Sequence, residues 1–453
     1  MRTLSRAFFG AMALTFVGLP LLAQDTAVAL AGSTDSTEVE KKSAISVVPV
    51  IEIQNLRPQD RRGMNVFEAP KTDLVPYTGF KLNLGAAFTQ QFQGLDHSNT
   101  AAERLVNNVN ANELIRLGHG FNNAVANLYI NAQVAPGIRV AMTSYLTARH
   151  HNETWVKDGY LQIDGSPIDY APLHTLMNYL TLKAGHFEVN YGDQHFRRTD
   201  NGQSIFNPLV GNFIMDAFTT QVGTEVYVRA NDFFLMQGIT NGEVRGMTLN
   251  PHRRSAAYIT KLGVDKQLTD DLRVRLTASG FNQAKASNQT LYSGDRAGSR
   301  YYNVVENTTS TEAANFTSGA INPGFNEMHA YVINPFVKFQ GLELFGNFER
   351  ARGKTATETE RRDFTQTVGE ATYRFLDDAL YVSGRYNVVE GRPAGYTDDI
   401  KINRTQFGAG WFINPMILLK AEYVTQKYDG FVTTDIRNGA KFKGYVIEAA
   451  LGF

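Results

Sequence analysis

Basic side chains recur at the polar positions of several segments in which polar and apolar residues alternate. In an extended chain, residues two apart lie on the same face, so these side chains would share one face of a sheet. A row of guanidinium and ammonium groups along an aqueous passage attracts anions and repels cations. The basic residues at such positions are Arg139, Arg149, Lys183, Arg229, Lys261, Arg273, Arg275, Arg374, Arg385, Arg404 and Lys420.

Acidic residues occur on the same predicted face, which makes the wall mixed in charge with a modest cationic excess. They are Glu225, Asp265, Glu343, Glu370, Glu422 and Glu448. For each charged residue there is a second interpretation, in which it is solvated or paired across strands and has no role in permeation.

The connection 189–220 carries a second candidate site. It contains the adjacent arginines Arg197 and Arg198, followed by an apolar stretch from Phe206 to Met215 that an outward loop would not need. We therefore expect this connection to fold into a lumen and to place both arginines at a constriction. The alternative is an extracellular loop that packs on its neighbours or on another subunit.

Other patterns that could do chemistry are weaker. In "RHHNETW", His150, His151 and Glu153 are close in sequence, but neighbouring residues of a strand point to opposite faces, so a shared metal is not expected. No Ser/His/Asp order, phosphate-binding glycine loop or calcium-loop spacing stands out. The sequence therefore predicts neither an enzyme nor a bound cofactor or metal.

The elements that position these residues are predicted strands. In "GFKLNLGAAFTQQFQ" the apolar residues Phe80, Leu82 and Leu84 share one face, and Lys81 and Asn83 share the other. The same alternation continues to the end of the chain and predicts sixteen strands near 79–93, 123–135, 138–149, 156–163, 180–188, 221–230, 233–240, 256–267, 272–281, 329–339, 342–350, 364–375, 379–389, 402–413, 416–426 and 443–453.

Short turns and long polar connections alternate between these strands, and the 164–179 connection is the exception. An even strand count with this layout predicts an all-β transmembrane antiparallel β-barrel of about sixteen strands, with the N- and C-termini in the periplasm. Aromatic residues near strand ends are expected to form an interfacial girdle: Tyr129, Tyr160, Tyr258, Tyr373, Trp411, Tyr423 and Tyr445. A soluble sandwich or propeller is the alternative fold.

The two ends of the chain indicate export. Residues 1–23, with Arg2 and Arg6 before an apolar run, read as a secretory signal peptide, and an N-terminal membrane anchor is the alternative. Without them the chain has 42 basic and 44 acidic residues, which argues against nucleic acid as a partner. There is no cysteine. Residues 24–76 form a periplasmic or lumenal N-terminal segment, and residues 77–453 form the barrel, whose last residue, Phe453, falls on the lipid face.

A barrel of this size has a lumen wide enough for water, which favours passive diffusion of small hydrophilic solutes or ions with a mild anion preference. An outer-membrane hydrolase is the competing class, and it needs a catalytic constellation that is not found. A TonB-dependent transporter needs more strands and a larger plug than the 53 residues before the barrel supply.

The signal peptide, the sixteen strands and the terminal phenylalanine together resemble bacterial outer-membrane porins. Within them, "LTLKAGHFEVNYGDQHF", from Leu180 to Phe196, resembles a stretch of the phosphate-selective porin O and P family. The resemblance covers residues 77–453. It implies that Phe453 serves as the signal read by the barrel assembly machinery, that outer-membrane lipids and small anionic solutes are partners, that the chain forms a homotrimer, and that phosphate is a candidate solute. The sequence lacks the dense arginine and lysine ladder of the anion-selective members.

Overall fold

Sixteen antiparallel strands form one closed sheet in the computed structural model, which describes residues 53–68, 71, 76–147, 154–166, 168–197, 200–243, 254–293, 300–310 and 318–453. The strands are β1 (Lys81–Ser98), β2 (Val125–Ala135), β3 (Ile138–Thr147), β4 (Thr154–Ile163), β5 (Leu180–Glu188), β6 (Thr220–Ala230), β7 (Phe233–Thr240), β8 (Ala257–Gln267), β9 (Leu272–Gln283), β10 (Glu327–Phe339), β11 (Leu342–Lys354), β12 (Arg362–Phe375), β13 (Leu380–Gly391), β14 (Ile400–Asn414), β15 (Ile417–Asp429) and β16 (Lys441–Gly452). Each strand pairs with its neighbours in sequence, and β1 pairs with both β2 and β16. The predicted fold class and strand count are confirmed.

Alternation of side chains separates the two faces of this sheet. Along β12, Gln366, Glu370 and Arg374 point inward and are buried, whereas Tyr373 and Phe375 point outward and are exposed. Every backbone polar group of a closed sheet can pair within the sheet, so the barrel can present an apolar outer face without unpaired backbone groups. The chain is therefore a transmembrane β-barrel with an apolar exterior and an interior that contains both polar and apolar side chains.

Five residues of the predicted aromatic girdle face outward, as the prediction requires, and the prediction is wrong for two. Tyr258, Tyr373, Trp411, Tyr423 and Tyr445 are exposed on the outer face. Tyr129 is buried, and both it and Tyr160 line an internal cavity. The reason is parity, because Tyr129 shares its face with Asn127 and Asn131, and Tyr160 shares its face with Gln162, all of which point inward.

Short turns gather at one end of the barrel, which we call the short-turn end, and the opposite end is the long-loop end. Several of these turns use left-handed backbone, as at Gly137, Asn231 and Gln340. The exceptional 164–179 connection contains helix α1 (Ala171–Met177), with Pro172 in its first turn.

The remaining elements are short. They are a 3₁₀ turn (Arg61–Gly63), helix α2 (Gln194–Arg197), and three two-residue strands, Leu105–Val106, Val109–Asn110 and Gly120–Phe121. In the described ranges, no helix is long and apolar enough to cross a membrane.

Three segments outside the strands lie against the inner wall. Residues 53–68 enter at the short-turn end, where Arg61 N–H donates to the Pro415 carbonyl at 2.8 Å. Residues 189–219 pack Ile205 and Phe206 against Tyr381 and neighbouring wall residues. Part of the connection between β9 and β10 packs inward as well. Residues 1–52 lie outside the described residues, so the signal peptide and the start of the N-terminal segment stay predictions.

Candidate channel lumen

The connection 189–219 lies in the lumen, and all of its described residues except Phe196 are buried. Wall side chains accept its backbone N–H groups, which a buried loop needs because an unpaired buried N–H is costly. The N–H groups of Val210 and Gly211 donate to the Glu422 carboxylate at 2.8 and 3.0 Å. Ile214 N–H donates to the Asn387 side chain at 2.7 Å. The wall thus holds the connection by its backbone as well as by its apolar side chains.

Arg197 lies in this connection at the C-terminal end of α2, and it forms an ion pair with Glu370 of β12. Arg385 of β13 binds the same carboxylate at 2.6 Å, and the Arg197 guanidinium lies 4.7 Å from the centre of the Phe345 ring. One carboxylate therefore stands between two buried guanidinium groups. Arg197 is inside the lumen, but its charge is largely compensated. Arg198, the second predicted residue, lies outside the described residues.

Arg275 of β9 is also committed to acidic partners. It binds Asp193 of the inward connection at 2.8 Å and Glu68 of the N-terminal segment at 2.5 Å. Lys261 of β8 joins the same two carboxylates, at 2.8 Å each. Phe67 lies beside this group, with the Arg275 guanidinium 4.2 Å from its ring centre. Two cations and two anions from four parts of the chain form one buried cluster.

Arg404 of β14 is fully buried and binds backbone rather than acids. Its guanidinium donates to the carbonyls of Asn212 and Gly319, at 2.6 and 2.8 Å, and to Gln426 at 2.5 Å. Asn212 belongs to the connection 189–219 and Gly319 to the β9–β10 connection, so Arg404 joins both inward segments to the wall. We call the inner wall of β8–β16, which the inward segments cover in this way, the filled side.

The β9–β10 connection is the main functional feature that the sequence analysis missed. Arg300 is fully buried and binds Glu448 of β16 at 3.0 Å, and Tyr301 donates a hydrogen bond to Glu422. Lys420 shares the Glu448 carboxylate at 2.8 Å. A usable signal was present, because Tyr301, Tyr302, Val304 and Val305 form an apolar run inside a polar connection, as in 189–220.

The inner wall of β2–β6, which we call the cavity side, is different. It borders a cavity of about 250 Å³ that also touches the N-terminal segment and the inward connection. Three of the predicted wall residues line it: Arg139, Lys183 and Arg229. Arg139 and Arg229 lie two residues from their short turns, so the cavity is at the short-turn end. Arg149 lies outside the described residues.

Arg139 is weakly partnered for a buried arginine. It is 7% exposed, donates one hydrogen bond to Gln162 at 3.0 Å, and leaves its Nε without a partner in the described part of the chain. Lys183 has an acid, Glu225, at 3.5 Å, and lies 4.5 Å from the ring centres of Tyr160 and Phe187. The cavity side therefore carries a guanidinium group that forms no ion pair with a described residue.

A β-bulge in β4 adds two further charges to this cavity. In the register of β3 and β4, Thr143 pairs with Asp158 and Ser144 with Val156, so Lys157 is the extra residue. Such a bulge re-aims side chains, and here both Lys157 and Asp158 line the cavity. Lys157 binds Asp200 of the inward connection at 2.8 Å. The Oδ1 atom of Asp158 is buried without a hydrogen-bond partner among the described residues.

A second cavity, of about 600 Å³, lies at the long-loop end between Glu306, Tyr396, Asp435 and Arg437. Burial alone would raise the pKa of Asp435, but hydrogen bonds from Arg437 and its positive charge outweigh burial and lower it. Burial raises the pKa of Glu306, and the hydrogen bond from Ser318, at 3.1 Å, offsets only part of this effect. The pKa values of the two carboxyl groups in this cavity are therefore shifted in opposite directions.

Phe453 extends the pairing of β16 with β1. Its N–H donates to the Ala86 carbonyl and its C=O accepts from the Ala86 N–H, both at 3.0 Å. The side chain is 53% exposed on the outer face of the barrel. The terminal residue is thus held by its backbone and leaves its ring outside.

Comparisons with known proteins concern the fold. No family model and no curated protein sequence matches the chain. Among solved structures, it is similar to in-vitro folded OmpT, an outer membrane protein of Vibrio cholerae, with a TM-score of 0.48 and 10% identity over 84% of this chain and 99% of that one. It is also similar to the anion-selective porin from Comamonas acidovorans, with a TM-score of 0.48 and 9% identity over 83% of this chain and 100% of that one. For Salmonella typhi OmpF in complex with daunomycin, the TM-score is 0.48 and the identity 11%, over 84% of this chain and 99% of that one. At these identities the likeness concerns the fold alone.

Proposed function

We propose that this protein is an outer-membrane porin, through which small hydrophilic solutes and ions diffuse passively with a mild preference for anions. The observation that carries the proposal is the cavity at the short-turn end. It lies inside a closed sixteen-stranded barrel with an apolar exterior, and its wall bears Arg139, Lys183 and Arg229. A sixteen-stranded barrel has room for an aqueous lumen, and wall charges then set ion preference.

The inward segments set the expected size of the passage. Residues 53–68, 189–219 and the β9–β10 connection occupy the filled side, so the passage runs along the cavity side and is narrow. We therefore expect a small single-channel conductance. Phosphate belongs to the candidate solutes because guanidinium groups bind its oxygens in bidentate fashion.

The same proposal covers orientation, assembly and partners. Residues 1–23 direct export, the short-turn end with both termini faces the periplasm, and three copies associate in the outer membrane. Phe453 marks the closing strand for the barrel assembly machinery. The exposed ring of Phe453 at the end of β16 supports this role. Phe453→Asp should abolish the heat-modifiable folded form in the outer membrane while export continues, and normal folded levels would contradict this role.

The function is tested by single-channel recording in planar bilayers. Folded protein should give discrete conductance steps, and a KCl gradient should give a reversal potential on the anion side that shrinks as salt concentration rises, because screening shortens to a few Å. Heat-unfolded protein is the control. Folded protein without steps would refute a channel, and a cation-side reversal potential would refute the anion preference. Replacing chloride by phosphate then ranks the two anions.

A further inference from the structure

Three carboxyl groups line the cavity, those of Glu68, Asp158 and Glu188, and only Asp158 forms no ion pair with a described residue. An anion-conducting wall gains nothing from a carboxylate, yet the β4 bulge turns Asp158 inward beside Lys157. The neighbouring cations are already committed to other acids, Lys157 to Asp200 and Lys183 to Glu225. Thr143 donates a hydrogen bond to the Asp158 carboxyl group, but the buried Oδ1 atom of that group has no hydrogen-bond partner among the described residues.

The same cavity has an opposite charge without an acidic partner. Arg139 binds only Gln162 among the described residues, and its buried Nε has no partner there. Buried polar atoms in native structures are normally satisfied by protein, water or ligand. One cavity thus contains a carboxylate oxygen that lacks a donor and a guanidinium that lacks an anion.

The register fixes how far apart these two groups lie. Asp158 of β4 is paired with Thr143 of β3, and Arg139 lies four residues before Thr143 on the same strand. At about 3.3 Å per residue this is roughly 13 Å between backbone positions, and the long Arg139 side chain shortens the gap. The termini of one amino acid are too close together to reach both groups. An extended chain spans at most about 3.3–3.6 Å per residue, so two or three residues would reach them.

We propose that this cavity is a binding site for short zwitterionic peptides of two or three residues. The ammonium group binds Asp158 and the carboxylate binds Arg139. The buried Oε1 of Gln203, which also lacks a partner within the described residues and lines the cavity, accepts a peptide N–H. A volume of about 250 Å³ accommodates a ligand of this size. The inference rests on the proposed porin function and names a solute class for it.

The test is isothermal titration calorimetry on the folded protein in detergent, with trialanine as the probe. Trialanine should bind, whereas N-acetyl-trialanine, trialanine amide and alanine should each bind about tenfold more weakly or worse, because each lacks one charge or the required separation. Equal binding of trialanine and its two blocked forms would overturn the proposal without any variant. No binding of trialanine would do the same.

Variants then assign the two ends of the peptide. Asp158→Asn should weaken trialanine about tenfold and leave N-acetyl-trialanine as it was, whereas Arg139→Gln should weaken trialanine and leave trialanine amide as it was. Asp232→Asn, in an exposed turn at the same end of the barrel, is the matched control and should bind trialanine normally. The assignment would be refuted if Asp232→Asn lost trialanine binding, or if Asp158→Asn bound trialanine as tightly as the wild type. Bilayer recording separates the claims, since conductance without peptide binding refutes only this site.

Discussion

The two sides of the lumen use similar residues for different purposes. On the filled side, Arg275, Arg385 and Lys420 all bind carboxylates, and Arg404 binds the backbone of two inward segments. On the cavity side, Arg139 has only an amide partner among the described residues. An inward-pointing arginine thus binds carboxylates or inward backbone on the filled side, whereas Arg139 on the cavity side forms no ion pair with a described residue. What decides between these roles is the partner, which residue type and strand position alone do not specify.

The largest expected effect breaks a buried charge cluster on the filled side. Glu370→Gln leaves Arg197 and Arg385 buried without their shared carboxylate, and we expect a loss of about 3–5 kcal/mol in the free energy of unfolding. Asp158→Asn, on the cavity side, removes a carboxylate without ion-pair partners in the described chain and should cost far less. Urea unfolding of both variants from detergent micelles measures the difference. Equal losses would show that the two sides do not differ in this respect.

The next largest effect is expected when a cation cluster on the filled side loses one of its carboxylates. Glu68→Gln takes one negative charge from the cluster of Lys261 and Arg275, both of which bind it directly. Asp193 then remains as a shared partner of both cations, and Asp265 remains at 3.0 Å from Arg275. The lost negative charge should move the reversal potential further toward anions. Looser packing of residues 53–68 should also raise conductance. Recording in a KCl gradient measures both, and Asp60→Asn, in the same segment, is the control. A shift toward cations would contradict the cluster's role.

A pair of arginine substitutions compares the two sides directly. Arg139→Gln should move the reversal potential toward cations at low salt, with a smaller effect at high salt because of screening. Arg404→Gln should leave reversal potential nearly unchanged and lower stability instead, because its guanidinium donates to two backbone carbonyls. Arg197→Ala should likewise leave the reversal potential nearly unchanged, because Glu370 compensates the charge of Arg197. A larger reversal shift in Arg404→Gln than in Arg139→Gln would invert the assignment.

The fold could be predicted from the sequence because two different media face the same strand. Apolar surroundings outside and a lumen inside favour period-two alternation. Buried inward and exposed outward side chains alternate along β12, although Phe364 and Val368 are among its inward residues. The inward position of 189–219 was predicted from its apolar run, and that of the β9–β10 connection was missed although Tyr301 and Tyr302 gave the same signal. The β9–β10 connection was placed among the long polar connections, and this apolar run was not used.

The pairing of charges could not be predicted in the same way. Arg197 and Glu370 are 173 residues apart, and they meet only because α2 places one opposite β12. Glu68 comes from a segment without periodicity, so nothing local indicated that it would join Lys261 and Arg275. The inward orientation of Asp158 depends on one bulge, which shifts parity by one residue. Ion pairs depend on the path of the loops, and alternation within strands does not encode that path.

The smallest effect concerns the long-loop end, where Glu306 extends the comparison to a carboxyl group with a hydrogen bond from Ser318 and no ion-pair partner among the described residues. Burial raises its pKa, so the folded protein retains this proton to higher pH than the unfolded chain does. The folded state then binds more protons, and stability falls as pH rises from the ordinary carboxyl range through the raised pKa. Hydrogen exchange of residues 300–310 should show stronger protection below that range than at neutral pH.

Glu306→Gln should remove this pH dependence. Asp435→Asn should preserve it, because Arg437 lowers the pKa of Asp435, so that the contribution of Asp435 to stability has the opposite dependence on pH. Protection that increases with pH in the wild type would mean that Glu306 is stabilised as a carboxylate, as the acids of the filled side are.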